Sequence, residues 1–160
     1  MVYDISRREV PDQPIVAIRD RMAQADLPIF IGRSIAELVA HLRLLGVSSS
    51  SEPFVIYHAF GPDDIDAEVC LPFVGDVVAT GRIIARVLPG ATVAETLHVG
   101  PYEELGAAYA VLTDWIELHG FEPAGPVRER YLNAPADDVP PSAYRTIIEM
   151  PIAPAAVLAR

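Results

Sequence analysis

Residues 92–120, TVAETLHVGPYEELGAAYAVLTDWIELHG, contain a β-strand pattern that passes directly into a helix pattern. Thr92 to Val99 has the composition of a strand, and Pro101 is well placed in the first turn of the helix that follows. Apolar residues then recur at helical spacing until Gly120, which ends the helix. These residues are Leu105, Ala108, Tyr109, Leu112, Trp115 and Ile116. The stretch therefore predicts a strand followed by an amphipathic helix.

The first half of the chain has the same order of elements. Two strand patterns precede a helix at about residues 28–45, and two more strands follow it. The second half repeats this order around the helix that ends at Gly120. The predicted strands are 2–10, 15–22, 53–60, 65–71, 82–88, 92–99, 127–132 and 144–150. The sequence therefore predicts two strand-strand-helix-strand-strand units, an α+β arrangement of eight strands and two helices.

Turn-forming residues recur with a nearly constant offset between the two halves. The matched pairs are Pro11 and Pro89 at 78 residues, Gly46 and Gly120 at 74, Pro62 and Pro135 at 73, and Pro72 and Pro151 at 79. We interpret this as an internal duplication, with repeats at about 1–75 and 80–154 inside a single domain spanning 1–160. The alternative is two ordinary α+β halves, because proline and glycine mark loops in every protein.

Duplication has a functional consequence. Two units whose sheets pair about a pseudo-twofold axis would leave a concave seam, and ligand pockets tend to form at such places. We therefore expect a ligand cleft at the seam, built from both halves.

Composition excludes several classes of protein. The 160 residues include 12 Arg and no Lys against 22 Asp and Glu, so the net charge of −10 argues against direct nucleic-acid binding and favours cationic partners. The single Cys70 excludes an internal disulfide and a thiolate pair for zinc. No signal peptide and no apolar run of about 18 residues is present, so we expect a cytoplasmic protein without membrane contact.

Glu129 is the most informative polar residue. Strand alternation places Val127, Glu129 and Tyr131 on one face and two arginines, suited to solvent, on the other. Glu129 would then point inward, and a buried carboxylate usually gains a charge partner or takes up a proton. A cationic ligand could be that partner. Arg145 on the next strand is the alternative.

Aromatic residues in both halves could form the walls of a binding site, because they stack on planar rings and bind lipophilic cations. The candidates are Tyr57, Tyr102, Tyr109, Trp115 and Tyr131. Core packing is the alternative for Tyr109 and Trp115. His58 is the repeat counterpart of Tyr131 at an offset of 73 residues and could line the same cavity. Glu68 is a weaker candidate that could face solvent.

Motifs for other chemistries are missing from the sequence. It has no GxxxxGK[ST] or GxGxxG phosphate loop, no HExxH or paired Cys/His spacing, and no GxSxG elbow. We therefore expect no metal site and no cofactor. An enzyme here would work with Glu, Tyr and His by acid–base chemistry.

The chain resembles the GyrI-like small-molecule-binding domain, which is also the effector-binding part of AraC-type and MerR-type multidrug regulators. The resemblance rests on His98-Val99-Gly100-Pro101-Tyr102, Trp115, Gly125-Pro126, Glu129-Arg130-Tyr131-Leu132 and Glu149-Met150-Pro151-Ile152. It implies a pseudo-twofold, eight-stranded antiparallel sheet with two helices and an aromatic cleft. By motif, Glu129 corresponds to the family's drug-contacting glutamate.

Some members of the family hydrolyse cyclopropane-bearing toxins with that glutamate and an aromatic hydroxyl. Tyr131 or Tyr109 could supply that hydroxyl here. Haem-binding relatives exist, but no histidine here is specific enough for that role.

Three hypotheses follow. The chain begins at its first predicted strand, which leaves no room for the regulators' helix-turn-helix, so we expect a stand-alone binder of lipophilic, cationic small molecules at Glu129. The second hypothesis is a small hydrolase of electrophilic toxins using Glu129 with Tyr131 or Tyr109. The third is a protein-interaction module with a regulatory protein partner.

Overall fold

A computed structural model describes residues 2–133 and 137–156. Pro135, which supplied one of the repeat offsets, lies outside the described residues, as does the end of the predicted domain at 160. The chain divides into two compact units. Unit 1 comprises Met1–Val10 with Ala91–Arg160, and unit 2 comprises Pro11–Gly90.

Each unit contains an antiparallel sheet and one long helix. The strands are β1 (Ser6–Val10), β2 (Gln13–Met22), β3 (Ser48–Ser49), β4 (Phe54–Phe60), β5 (Ile65–Val74), β6 (Ile84–Leu88), β7 (Ala91–Val99), β8 (Phe121–Pro123), β9 (Val127–Tyr131) and β10 (Arg145–Pro154). The helices are α1 (Leu27–Leu44) and α2 (Leu105–Leu118). In unit 2 the sheet order is β4-β5-β2-β6, with β3 added to β5. In unit 1 it is β1-β7-β10-β9, with β8 added to β10.

The core of unit 2 lies on both faces of its sheet. Strand β5 is buried at every residue except Val74, and β2 is buried from Ile15 to Ile18. Helix α1 places Leu38 and Leu42 in the interior at 0% and 2% exposure. A second buried cluster comprises Ile15, Ala17, Phe54, Ile56, Cys70 and Leu88. Burial on both faces explains why residues 15–18 of β2 and 69–73 of β5 are continuous apolar runs instead of alternating ones.

The core of unit 1 forms where α2 packs on the sheet. Its buried residues are Ala94, Leu105, Ala108, Leu112, Ile116, Ile148 and Ile152. Four of these come from α2 at positions three or four apart, which is the spacing of one helix face. Tyr102, Tyr109 and Trp115 pack against this cluster with part of their surface exposed. Helix α2 therefore presents Tyr109 and Trp115, and the turn before it presents Tyr102, along the border of the core.

The two first strands are exchanged between the predicted repeats. Strand β1 begins the first repeat in sequence but pairs with β7, and β6 begins the second repeat but pairs with β2. Unit 2 is consequently continuous in sequence, whereas unit 1 joins two distant segments. Local sequence patterns place strands but do not choose their partners.

The α+β class, the two helices and all eight predicted strands are confirmed. Two short strands, β3 and β8, were not predicted, because two or three residues are too few to show alternation. The helix beginning near Pro101 starts as a 3-10 turn over Tyr102–Glu104 before α2. Among the described residues, neither helix has the length and hydropathy needed to cross a bilayer.

Candidate functional site

Glu129 lies near the middle of β9 with its side chain directed into unit 1, as the alternation predicted. It is 8% exposed, and the residue opposite it on β10 is Ile148, which is 0% exposed. Ile148 belongs to the buried cluster formed with α2. The carboxylate therefore lies on the apolar, helix-covered face of the sheet.

Two tyrosine hydroxyls donate hydrogen bonds to this carboxylate. Tyr131 lies two residues further along β9, and its hydroxyl is 2.9 Å from Oε1 of Glu129. Tyr109 reaches Oε2 from α2 in a short hydrogen bond. One donor comes from the strand and one from the helix, so the carboxylate is oriented from two sides.

No cation neutralises Glu129 within the described residues. The alternative partner Arg145 is exposed and lies opposite Val99 in the β10–β7 pairing, and it makes no ion pair with Glu129. Burial raises the pKa of the Glu129 carboxyl, and the hydrogen bonds from Tyr109 and Tyr131 counteract part of that rise. The site therefore holds a buried carboxylate whose described hydrogen-bond partners are neutral.

Aromatic rings lie beside the carboxylate. The ring of Tyr102 makes an edge contact with that of Tyr131, with centroids 5.9 Å apart, and stacks on Tyr144 at 5.0 Å. Burial, followed by the negative potential of Tyr144, Glu129 and Asp137, raises the pKa of Tyr102. Tyr144 was not among the predicted site residues, because it was assigned only as the start of a strand. It lies two residues before Thr146, the partner of Tyr131, and this pairing is evident only in the structure.

Trp115 lies on the same helix as Tyr109 but contacts other rings. It stacks on His119 with centroids 4.1 Å apart and lies parallel to Phe121 at 6.3 Å. Six residues of helix separate it from Tyr109, about 9 Å along the axis. Its role in ligand binding stays a prediction.

Tyr57 and His58 belong to unit 2, where they have partners of their own. Tyr57 is 7% exposed and makes an edge contact with Phe60 at 5.5 Å. Nε2 of His58 is 2.9 Å from Oε1 of Glu68, which also forms an ion pair with Arg86 at 2.7 Å. The expectation that Glu68 could face solvent was wrong, since it is 2% exposed and paired.

The strand register matches Tyr131 with Tyr57 and not with His58, its predicted counterpart. Tyr57 lies opposite Ala67 and Tyr131 lies opposite Thr146. These two partners are 79 residues apart, the same offset as that between the matched prolines of the two strands. The predicted counterpart was one residue off, and one residue moves a side chain to the other face of a sheet.

The second face of β9 also differs from expectation. Arg128 is buried, and the side chain of Arg130 is only 12% exposed because it forms an ion pair with the fully buried Glu149 at 3.1 Å. The prediction that both arginines face solvent was wrong. An alternating strand shows that two faces differ, but it does not show that either face meets water.

Among residues 2–133 and 137–156, no three His, Cys, Asp or Glu side chains are grouped so that they could hold a metal ion. Cys70 is buried, and its thiol donates to the carbonyl oxygen of Glu68 at 3.5 Å. The chemistry available at Glu129 is thus that of a carboxylate and phenolic hydroxyls.

An α+β fold with a buried ionisable group among aromatic rings is typical of small-molecule-binding domains. A family model described as the GyrI-like small molecule binding domain matches residues 3–153. The chain belongs to this family. A search of curated proteins finds no match.

Solved structures with the same fold have low sequence identity. The C-terminal domain of EcmrR matches with a TM-score of 0.86 and 24% identity, covering 97% of this chain and 100% of that domain. EcmrR in a complex with DNA matches with a TM-score of 0.83 and 22% identity over 96% of this chain. This chain spans only 58% of that EcmrR chain. A hydrolase from Listeria innocua matches with a TM-score of 0.73 and 16% identity, covering 93% of this chain and 91% of the hydrolase. SAV2435 bound to tetraphenylphosphonium matches with a TM-score of 0.62 and 16% identity, covering 96% of this chain and 94% of SAV2435.

Proposed function

We propose that this domain binds lipophilic, cationic small molecules and that Glu129 supplies the opposing charge. The observation that carries the proposal is the 8% exposed carboxylate with hydrogen bonds from two neutral tyrosine hydroxyls. An ionised carboxylate in such a place is unfavourable until a cation compensates it. A ligand that brings its own positive charge would supply that compensation.

The neighbouring rings support a lipophilic ligand. Tyr102, Tyr131 and Tyr144 offer aromatic faces and edges close to the carboxylate. Aromatic faces attract organic cations through their quadrupole, most strongly where water is excluded. The net charge of −10 adds a long-range attraction for cations. Tetraphenylphosphonium, present in the SAV2435 structure, is a suitable probe because it combines four aromatic rings with one positive charge.

Calorimetric titration with tetraphenylphosphonium and with neutral triphenylphosphine oxide tests this function. We expect Glu129→Gln to weaken binding of the cation more than tenfold, because removing one member of a desolvated charge pair typically costs about 2–5 kcal/mol. Glu117→Gln removes the same charge from an exposed position on α2 and is the matched control. Equal affinity in wild type and Glu129→Gln would refute the assignment. No binding of either compound would favour the protein-interaction module.

The second candidate function is hydrolysis of strained electrophiles, such as cyclopropane-bearing toxins. The hydrogen bond between Tyr109 and Glu129 and the raised pKa of the Glu129 carboxyl support this function. An acid–base catalyst works best when its pKa lies near the ambient pH. Glu129 would take a proton from the attacking water while the oxygen of that water forms a bond to a ring carbon. The strained C–C bond breaks, and the carbon that leaves takes up a proton from Tyr109. The proton on Glu129 then passes to the Tyr109 phenolate along their hydrogen bond, which restores both groups. Mass spectrometry would show product with one added water, formed by wild type and not by Glu129→Gln.

A further inference from the structure

His98 is buried beside the site and uses both ring nitrogens. It lies on β7 with 1% exposure. Its Nδ1 is 2.8 Å from the hydroxyl of Tyr3, and its Nε2 is 3.1 Å from the carbonyl oxygen of Pro101. A carbonyl can only accept, so Nε2 carries a proton, and in the neutral imidazole Nδ1 accepts from Tyr3. The imidazole therefore bridges the start of the chain and the turn before α2.

That turn is held against His98 by its glycine. Gly100 has φ +141°, a conformation that favours glycine. A Cβ there would lie 3.2 Å from Oε2 of Glu104 and 3.3 Å from Nε2 of His98. The Gly100 N–H donates to the carbonyl of Tyr144 at 2.8 Å. The backbone that leads to Tyr102 is thus fixed by His98 on one side and by Tyr144 on the other.

The opposite end of the bridge is also anchored. The ring of Tyr3 stacks on His98, with centroids 6.0 Å apart and planes inclined by 25°. Tyr3 packs against the core of unit 1, and the Thr96 hydroxyl donates to the carbonyl of Asp4 at 2.9 Å. The segment of residues 3–5 is therefore attached to β7 through side chains before β1 begins.

We propose that His98 is a positioning residue: by joining Tyr3 to the Pro101 carbonyl, it holds the turn that presents Tyr102 to the ligand, and so couples residues 3–5 to the site. The inference rests on the proposed function of Glu129 and adds a regulatory connection to it. Coupling between two sites is reciprocal. A ligand that requires Tyr102 in its observed position will strengthen the attachment of Tyr3, and loss of that attachment will lower the affinity for the ligand.

Tyr3→Phe tests the coupling with the smallest change, because it removes only the hydroxyl that His98 accepts. We expect tetraphenylphosphonium affinity to fall about fivefold, the scale of one neutral hydrogen bond. Hydrogen exchange over residues 99–102 should become faster in the variant. In wild type, tetraphenylphosphonium should slow exchange in residues 3–5. Thr92→Val is the matched control, since its hydroxyl joins β7 to Glu9 of β1 at 2.7 Å, away from the turn.

Two substitutions at His98 separate positioning from general destabilisation. Gln places its amide near the position of Nε2 and can still donate to Pro101, whereas Asn reaches only toward the Nδ1 position and Tyr3. Both should lower the melting temperature. We expect His98→Gln to bind tetraphenylphosphonium more tightly than His98→Asn, because only the Gln variant keeps the hydrogen bond that holds the turn at Pro101. A purely structural role predicts that affinity follows melting temperature in both variants.

The outcomes are distinguishable. If wild type binds and Glu129→Gln does not, but Tyr3→Phe binds as wild type does, the coupling is refuted and the proposed function stands. If wild type does not bind tetraphenylphosphonium, the proposed function fails and the coupling fails with it. Unchanged exchange over residues 99–102 in Tyr3→Phe refutes the positioning role whatever the ligand does.

Discussion

The hydroxyl of Tyr131 donates a hydrogen bond of 2.9 Å to Oε1 of Glu129, two residues earlier on the same strand. Residues two apart share a face of a strand, so the donor and acceptor are placed by the pleat alone. A phenol stabilises the ionised carboxylate without cancelling its charge. The arrangement keeps the carboxylate oriented while leaving its negative charge available to a ligand.

Stability should depend on the ionisation of Glu129. Burial raises its pKa above the unfolded value, so its stabilising contribution is present below an unfolded pKa of about 4.3 and is lost as pH rises through the folded pKa. Glu129→Gln stays neutral at every pH. We expect its melting temperature, relative to wild type, to increase as the pH is raised from about 4 to 7. A pH-independent difference would contradict the raised pKa, and the exposed Glu117→Gln is the control.

Cation binding should strengthen as pH rises through the folded pKa of Glu129, because the proton and the cation compete for one carboxylate. Tyr109→Phe removes a hydrogen bond that lowers this pKa. We therefore expect the midpoint of the affinity–pH curve for tetraphenylphosphonium to move to higher pH. The control is Tyr144→Phe: the hydroxyls that bond to Glu129 are those of Tyr109 and Tyr131, so this variant should leave the midpoint in place. A midpoint that Tyr109→Phe does not move would exclude the hydroxyl as a determinant of the pKa.

Removing Arg130 should strongly destabilise the fold. Its partner Glu149 is fully buried, and the other arginine near it, Arg8, is at 3.5 Å. We expect Arg130→Met to cost about 3 kcal/mol in the free energy of unfolding, the lower end of the usual cost of breaking a buried ion pair, because Arg8 remains near Glu149. The double variant with Glu149→Gln should recover much of that loss. Urea denaturation measures both, and a double variant as unstable as the single one would argue against the ion pair as the cause.

The Glu68–Arg86 pair of unit 2 should stabilise the fold only above acidic pH. Burial acts to raise the pKa of Glu68, but the hydrogen bonds from Arg86 and His58 outweigh it, and the pKa is lowered. Its contribution is thus present above the unfolded pKa and lost as pH falls through the folded one. We expect Arg86→Met to cost about 1.5–3 kcal/mol at neutral pH and less in acid.

A control for this prediction is Arg82→Met. Arg82 pairs with Glu37 where both side chains are about half exposed. Exposed pairs contribute at most about 1 kcal/mol, so denaturant unfolding of this variant should differ little from wild type. An equal loss in both variants would show that burial does not distinguish the two pairs.

The sequence predicted the elements of the fold because each has a local signature. Alternation marked β9, helical spacing marked α2, and prolines and glycines marked the ends. The inward direction of Glu129 was predicted in the same way and is confirmed by its burial. Strand partners were not predictable, since the pairing of β1 with β7 depends on residues more than 80 positions apart.

The contacts of the site were less accessible to sequence reasoning. Tyr109 and Glu129 were both candidates, but their hydrogen bond depends on how α2 packs on β9. The burial of Arg130 was missed because its ion-pair partner, Glu149, lies on another strand. Tyr144 was missed because one aromatic residue at a strand end carries no signal of its own. Residue type and alternation identify candidates, and tertiary packing decides which of them meet.

The exchange of β1 and β6 has a consequence for how the protein is made. Unit 2 is complete once Gly90 has been synthesised, because all its strands lie between Pro11 and Gly90. Strand β1 leaves the ribosome before unit 2, yet its partner β7 is translated about 80 residues later, several seconds at bacterial or eukaryotic elongation rates. During that interval its edge is open, and its Ser-Arg-Arg-Glu-Val sequence carries the charges that discourage premature pairing with other chains.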